Sequence, residues 1–67
     1  MTPHALLVDD DPASLRAMAE WVSREGFGVR TASTLEEARA ALETRVPDVA
    51  LIDLYLPDGM GLELLDD

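Results

Sequence analysis

The sequence has no cysteine and no lysine, a single histidine, His4, and three aromatic residues, Trp21, Phe27 and Tyr55. Without cysteine there is neither a disulfide framework nor a thiolate metal site, and one histidine cannot build a multi-histidine site. Basic charge is scarce too. All five cations are arginines (Arg16, Arg24, Arg30, Arg39 and Arg45), set against 14 Asp and Glu, for a formal net charge of −9. That balance argues against direct nucleic-acid contact, which needs clustered Lys and Arg on phosphates. No apolar run approaches the roughly 20 residues of a membrane span. The N-terminus lacks the basic patch and apolar stretch of a secretory leader, so the expectation is a soluble, cytoplasmic protein with no membrane partner. What the chain does have is apolar residues, 48% of it, more than a solvated acidic tail carries. At 67 residues such a chain buries only about 60% of the surface its unfolded form exposes. With disulfides excluded, a metal or oligomerisation is the usual source of further stability.

The apolar pattern changes period along the chain. His4-Ala5-Leu6-Leu7-Val8 is a short apolar run closed by Asp9-Asp10-Asp11-Pro12, which fits a central parallel strand buried on both faces. Asp11 can cap a helix with Pro12 in its first turn. Leu15, Met18, Ala19 and Val22 then recur at the spacing of one helical face, and Gly26 suits the left-handed residue that ends a helix. Phe27 to Thr31 alternates like a half-exposed strand. Thr34-Leu35-Glu36-Glu37 is a capping box, with Glu37 reaching back to the capping residue. Leu35, Ala38, Leu42 and Val46 form the expected stripe of a second helix that Pro47 stops. Asp48 to Asp53 is a second apolar run closed by an acid, Leu54 to Met60 reads as a loop, and Gly61 to Leu65 begins a third helix. Strands alternating with helices in this order imply an α/β fold with a parallel sheet and right-handed crossovers.

Two strands therefore end in acids, the first at Asp9-Asp10 and the third at Asp53. In doubly wound sheets the ligand site lies beyond the carboxyl ends of the strands where their order reverses. A strand order of 2-1-3 makes the first and third strands neighbours and brings the three carboxylates together. Carboxylates that close repel one another, and a hard divalent cation resolves the repulsion; oxygen-only ligands favour Mg²⁺. A carboxylate beside such an ion can also act as a nucleophile toward phosphorus. A lone acidic triplet reads more simply as a solvated turn before a helix, favoured by the helix dipole. The second strand-terminal acid tips the balance toward a site.

At this point the residues resemble a family. Leu7-Val8-Asp9-Asp10-Asp11-Pro12, Glu25-Gly26-Phe27, Pro47-Asp48 and above all the run from Leu51-Ile52-Asp53 through Leu54-Tyr55-Leu56-Pro57-Asp58-Gly59-Met60-Gly61-Leu62-Glu63-Leu64-Leu65 are similar to the receiver domain of two-component response regulators. The resemblance covers the whole chain and implies a flavodoxin-like doubly wound sheet. It further implies that Asp53 is the phosphoryl acceptor and that Asp9 and Asp10 hold Mg²⁺ (Mn²⁺ being an alternative) together with Asp53. Tyr55 would supply its backbone carbonyl to the metal, and Pro57 and Gly61 would shape the loop. The implied partner is a sensor histidine kinase, and the implied role is a phosphorelay acceptor rather than an enzyme.

Residues 1–67 carry β-α-β-α-β and the start of a third helix, about half of such a domain. The switch Ser or Thr and the Lys that the resemblance calls for have no counterpart in the chain. The sequence thus leads to two expectations. The first is a phosphoacceptor. The second is an incomplete, non-phosphorylatable dimerisation or interaction module that pairs through the edge of Val49-Ala50-Leu51-Ile52 or exchanges its third helix. Trp21, His4, Met18, Met60 and the acidic face of Glu36, Glu37 and Glu43 are expected to be structural or solvated.

Overall fold

A computed structural model describes residues 2–66. Its central element is strand β1 (His4–Val8), which pairs in parallel with β2 (Gly28–Ala32) on one side and β3 (Val49–Ile52) on the other, giving the order β2-β1-β3. Helix α1 (Pro12–Arg24) connects the first pair and α2 (Leu35–Thr44) leads back to β3. The expected order 2-1-3 is therefore observed. Because side chains alternate along a strand, β1 feeds two cores. Ala5 and Leu7 point to the α1 side and pack with Leu15, Val22 and Met18. Leu6 and Val8 point to the α2 side and join Leu35, Ala38, Ala41, Leu56 and Leu64. Every residue from Ala5 to Val8 is at most 2% exposed.

Helix α1 forms as its sequence requires. The Asp11 carboxylate accepts from the Ala13 N–H at 3.3 Å and from the Ser14 hydroxyl at 2.8 Å, and Pro12 occupies the first turn, where no N–H is needed. Gly26, with φ +93°, follows the last turn in the left-handed region that costs other residues strain.

Three details differ from the sequence-based expectation. Val46 is 82% exposed because α2 ends at Thr44, a full residue pair before Pro47, and Ala41 takes its place in the core. Residues 54–60 are not an open loop: β4 (Tyr55–Leu56) and β5 (Gly59–Met60) form a small antiparallel hairpin turning at Pro57-Asp58. The third helix is a 3-10 helix, Gly61–Asp66. The tighter form is the usual choice for short pieces.

The capping box at α2 is present, with the Glu37 N–H donating to Thr34 Oγ at 3.0 Å, while the Glu37 carboxylate reaches one residue further back, to the Ser33 N–H at 3.0 Å. The amides before Glu37 are capped from elsewhere. The Leu35 N–H donates to Asp58 Oδ1 at 2.8 Å and the Glu36 N–H to Asp58 Oδ2 at 3.1 Å. These bonds, the Leu35 amide foremost, hold the Asp58 carboxyl below the ordinary aspartate value of 3.8, with Arg39 adding a smaller pull in the same direction. A folded-state value below the unfolded one stabilises the chain above the ordinary value, and that contribution is lost as pH falls through the folded value. At neutral pH the Asp58→Ala variant is therefore expected to unfold at lower urea concentration than the wild type. The gap between the two should close as pH drops below 3.8; a gap that does not change with pH would contradict an ionised Asp58 cap.

Candidate metal and phosphoacceptor site

The ladder that builds the sheet also builds the site. Val8 pairs with Ile52, so the residues after them emerge side by side at the carboxyl ends of β1 and β3. The Asp9 N–H donates to the Ala32 carbonyl at 3.1 Å and the Asp53 N–H to the Val8 carbonyl at 2.8 Å, which extends both pairings by one residue. Asp9, Asp10 and Asp53 consequently each present a carboxylate oxygen within 4.8 Å of the others. All three expected acids meet.

Their surroundings differ. Asp9 and Asp53 are half-buried and Asp10 is exposed. Asp9 Oδ1 accepts from the Asp11 N–H at 3.0 Å, and Asp53 Oδ1 accepts from the Tyr55 N–H at 3.4 Å. Each acid thus keeps an oxygen outside the protein's own hydrogen bonds. The donor set is all oxygen, anionic and partly open to water, which suits a hard divalent cation. No imidazole competes, since His4, the single histidine, lies at the opposite end of β1, where its backbone N–H donates to Asp48 Oδ2 at 2.7 Å. Tyr55 opens β4, two residues past Asp53, with its side chain largely exposed, so only its backbone bears on the site.

Gly61 does more than shape a loop. Its N–H donates to the Leu54 carbonyl at 2.8 Å, and a Cβ there would overlap the Asp53 carbonyl oxygen and lie 2.7 Å from Ile52 Cγ2. The 3-10 helix can close on the acidic residue only because position 61 has no side chain. Pro57, by contrast, is exposed at the hairpin turn and touches none of the acids through a hydrogen bond.

Two grooves flank the cluster. One, of about 400 Å³, is lined by Asp9, Asp10, Leu15, Arg16, Thr31 and Ser33, and the other, of about 350 Å³, by Val8, Asp9, Met18, Leu51, Ile52 and Asp53. Among the described residues Arg16 is the single cation lining either groove, with no ion pair to the acids. Sequence reasoning passed over Arg16, whose place on the helical wheel gave the only signal. It also passed over the Asp58 cap, whose partners lie 22 and 23 residues away.

An α/β sheet of order 2-1-3 with an acidic triad beyond the carboxyl ends of its strands is a doubly wound domain with its acids at the edge where such folds place a ligand site. A family model described as the response regulator receiver domain matches residues 5–67. The chain belongs to that family. It is 44% identical over 61 residues to the acid tolerance regulatory protein ActR of Rhizobium meliloti (strain 1021), covering 91% of this chain and 31% of that protein. The photosynthetic apparatus regulatory protein RegA of Rhodobacter capsulatus is 43% identical, with 91% and 33% covered. Among solved structures, a CheY-like response regulator receiver domain from Methylobacillus flagellatus superposes with a TM-score of 0.92 at 33% identity, covering 98% of this chain and 56% of that one. The non-phosphorylated HemR receiver domain from Leptospira biflexa gives 0.87 at 33% identity, with 96% and 52% covered. The chain thus spans about a third of the length of these curated relatives.

The close approach at position 61 makes Gly61→Ala a test of the packing. Adding a methyl group where there is no room costs about 1–3 kcal/mol, and here the nearest atom is backbone. The urea midpoint of the variant is expected to fall accordingly, and an unchanged midpoint would show that the 3-10 helix does not press on Asp53.

Proposed function

We propose that the chain acts in two-component signal transduction as a phosphoacceptor, receiving a phosphoryl group on Asp53 from a sensor histidine kinase. The convergence of Asp9, Asp10 and Asp53 within 4.8 Å carries this reading, because it joins a nucleophilic carboxylate to an anionic oxygen cradle. In the proposed arrangement Mg²⁺, or Mn²⁺, is held by Asp10 directly, by Asp9 and Asp53, and by the backbone carbonyl of Tyr55. The bound cation supplies charge neutralisation for the phosphoryl oxygens. In the transfer, an Asp53 carboxylate oxygen forms a bond to phosphorus as the phosphorus–nitrogen bond of the kinase phosphohistidine breaks. The electron pair returns to the imidazole, which takes up a proton, and Asp53 carries the acyl phosphate. The chain holds no lysine, so no ammonium of its own pairs with the transferred group.

In this role the protein assists its own modification and is not an enzyme acting on other substrates. A cytoplasmic location and the lack of direct nucleic-acid contact belong to the same proposal; they are supported by the −9 charge and by the absence, among the described residues, of any helix long and apolar enough to cross a membrane.

Mg²⁺ titration of the wild-type chain is expected to saturate, with Asp10→Asn weakening binding by about tenfold or more, the scale on which even supporting residues act. With a phosphorylated histidine kinase domain as donor, intact-mass analysis is expected to show one hydroxylamine-labile phosphoryl group, absent from Asp53→Asn and retained in Glu43→Gln. Metal indifference together with no mass gain would overturn the proposal.

One observation supports a second reading, an interaction module. Among the described strands β3 pairs with β1 alone, and Val49 and Leu51 on its α1 side are 42% and 40% exposed. Such an apolar edge is a template for another strand, and we propose that two copies pair there. Light scattering at micromolar concentration is expected to give a mass above that of one chain. A single-chain mass with cooperative unfolding would refute the pairing.

A further inference from the structure

Asp58 takes no part in the chemistry above, yet three separate features tie its turn to the first turn of α2. Its two carboxylate oxygens accept from the Leu35 and Glu36 amides at 2.8 and 3.1 Å. Leu56, one step inside the hairpin, is buried in the same cluster as Leu35 and Leu64. Gly59, with φ +149°, approaches so closely that a Cβ there would sit 2.5 Å from Leu35 Cδ1. The turn is thus clamped by charge and by apolar packing, and its positive φ at Gly59 favours glycine where it nears the Leu35 side chain.

The hairpin carries this anchorage back to the acids. Leu56 pairs with Gly59 and Tyr55 with Met60, so the two strands form a short rigid ladder between Asp58 and Tyr55. The Met60 N–H is held by Glu63 Oε2 at 2.8 Å, and the Leu54 carbonyl by the Gly61 N–H at 2.8 Å. At the far end of that ladder the Tyr55 N–H meets Asp53 Oδ1 at 3.4 Å. This last contact is long, at the weak end of hydrogen bonding. Its quality depends on where the hairpin sits.

We infer that Asp58 is a positioning residue for Asp53: by fastening the β4–β5 turn to the N-terminus of α2, it sets the place of the Tyr55 amide against the acceptor carboxylate. The inference rests on the phosphoacceptor reading for its meaning, since Asp53 and the Tyr55 backbone are the groups that reading uses. Removing the Asp58 carboxylate leaves the part-buried Leu35 amide and the exposed Glu36 amide without this acceptor, which costs α2 stability. It also removes the polar tie on the turn, and the hairpin is then free to lift away from Asp53. The linkage is reciprocal: a cation or phosphoryl group that draws the Tyr55 segment inward tightens the cap on α2.

The decisive comparison is between Asp58→Ala and Thr34→Ala. Both remove a cap from α2, but the Thr34 hydroxyl accepts from the Glu37 amide, within the helix's own entry, and Asp58 ties the helix to the hairpin. Stability, the Tyr55 amide resonance and Mg²⁺ affinity are measured for both variants and for Asp58→Asn, which keeps one acceptor oxygen. The expected result is that both alanine variants lose stability, while only Asp58→Ala moves the Tyr55 amide resonance and weakens Mg²⁺ binding, by about tenfold, the lower end for groups that support a metal ligand. Asp58→Asn should fall between. An unmoved Tyr55 resonance in Asp58→Ala, or the same shift in Thr34→Ala, overturns the inference. Should the wild-type chain neither bind Mg²⁺ nor gain a phosphoryl group, the phosphoacceptor reading fails by itself, and the Tyr55 resonance still decides the role of Asp58.

Discussion

The register of β1 is the constraint on which the rest depends. A strand buried on both faces has no tolerance for slippage, because a shift of one residue would exchange Ala5 and Leu7 for Leu6 and Val8 between two differently shaped cores. Fixing β1 fixes its parallel partners, and the Val8–Ile52 pairing then decides that Asp9 and Asp53 leave the sheet together. The acidic site is in this sense a by-product of core packing. Carboxylates that would repel one another are held adjacent by apolar contacts several residues away, so their convergence does not depend on a bound ion.

A second layer of organisation lies on the α2 side. Helix α2, the hairpin and the 3-10 helix share one apolar cluster, and carboxylates stitch its rim: Asp58 to the first amides of α2, and Glu63 to the Met60 amide with Arg39 at 3.9 Å. Ion pairs this exposed contribute little energy. Their effect is geometric, because they connect the segment that follows Asp53 to a helix that never approaches the acids. The α1 side has no equivalent. There α1 covers β1 and β2, and Val49 and Leu51 on β3 are exposed.

Much of this could be read from the residues. The five-residue run His4–Val8, the Asp11-Pro12 helix start, the Gly26 stop and the order of the strands follow from local patterns whose physics is short-ranged, and so do the three acids once the strand order is set. What escaped was non-local or finely balanced. Val46 fits a helical stripe by spacing, but a stripe does not say where the helix ends. The hairpin at 55–60 has only two residues per strand, too few for a periodic signal. The 3-10 form of Gly61–Asp66 is a choice between close alternatives. Asp58 sits in a Pro-Asp-Gly turn, so its identity was fully accounted for by turn chemistry; its second role depends on a helix 22 residues earlier.

The charge of −9 acquires a more definite meaning from these contacts. Asp11, Asp48 and Asp58 each accept from backbone amides that would otherwise lack a partner, so part of the acid excess is structural and needs no counterion. Asp10 is different: among the described residues no backbone group donates to its carboxylate, and Asp9 and Asp53 stand within 4.8 Å. A ligand that binds the folded chain and not the unfolded one adds to stability in proportion to the logarithm of its concentration over its dissociation constant. In a 67-residue chain with no disulfide, that addition is measured against a small margin. Under the phosphoacceptor proposal, a cation on the acidic crest stabilises the folded chain through the same binding that serves the chemistry at Asp53.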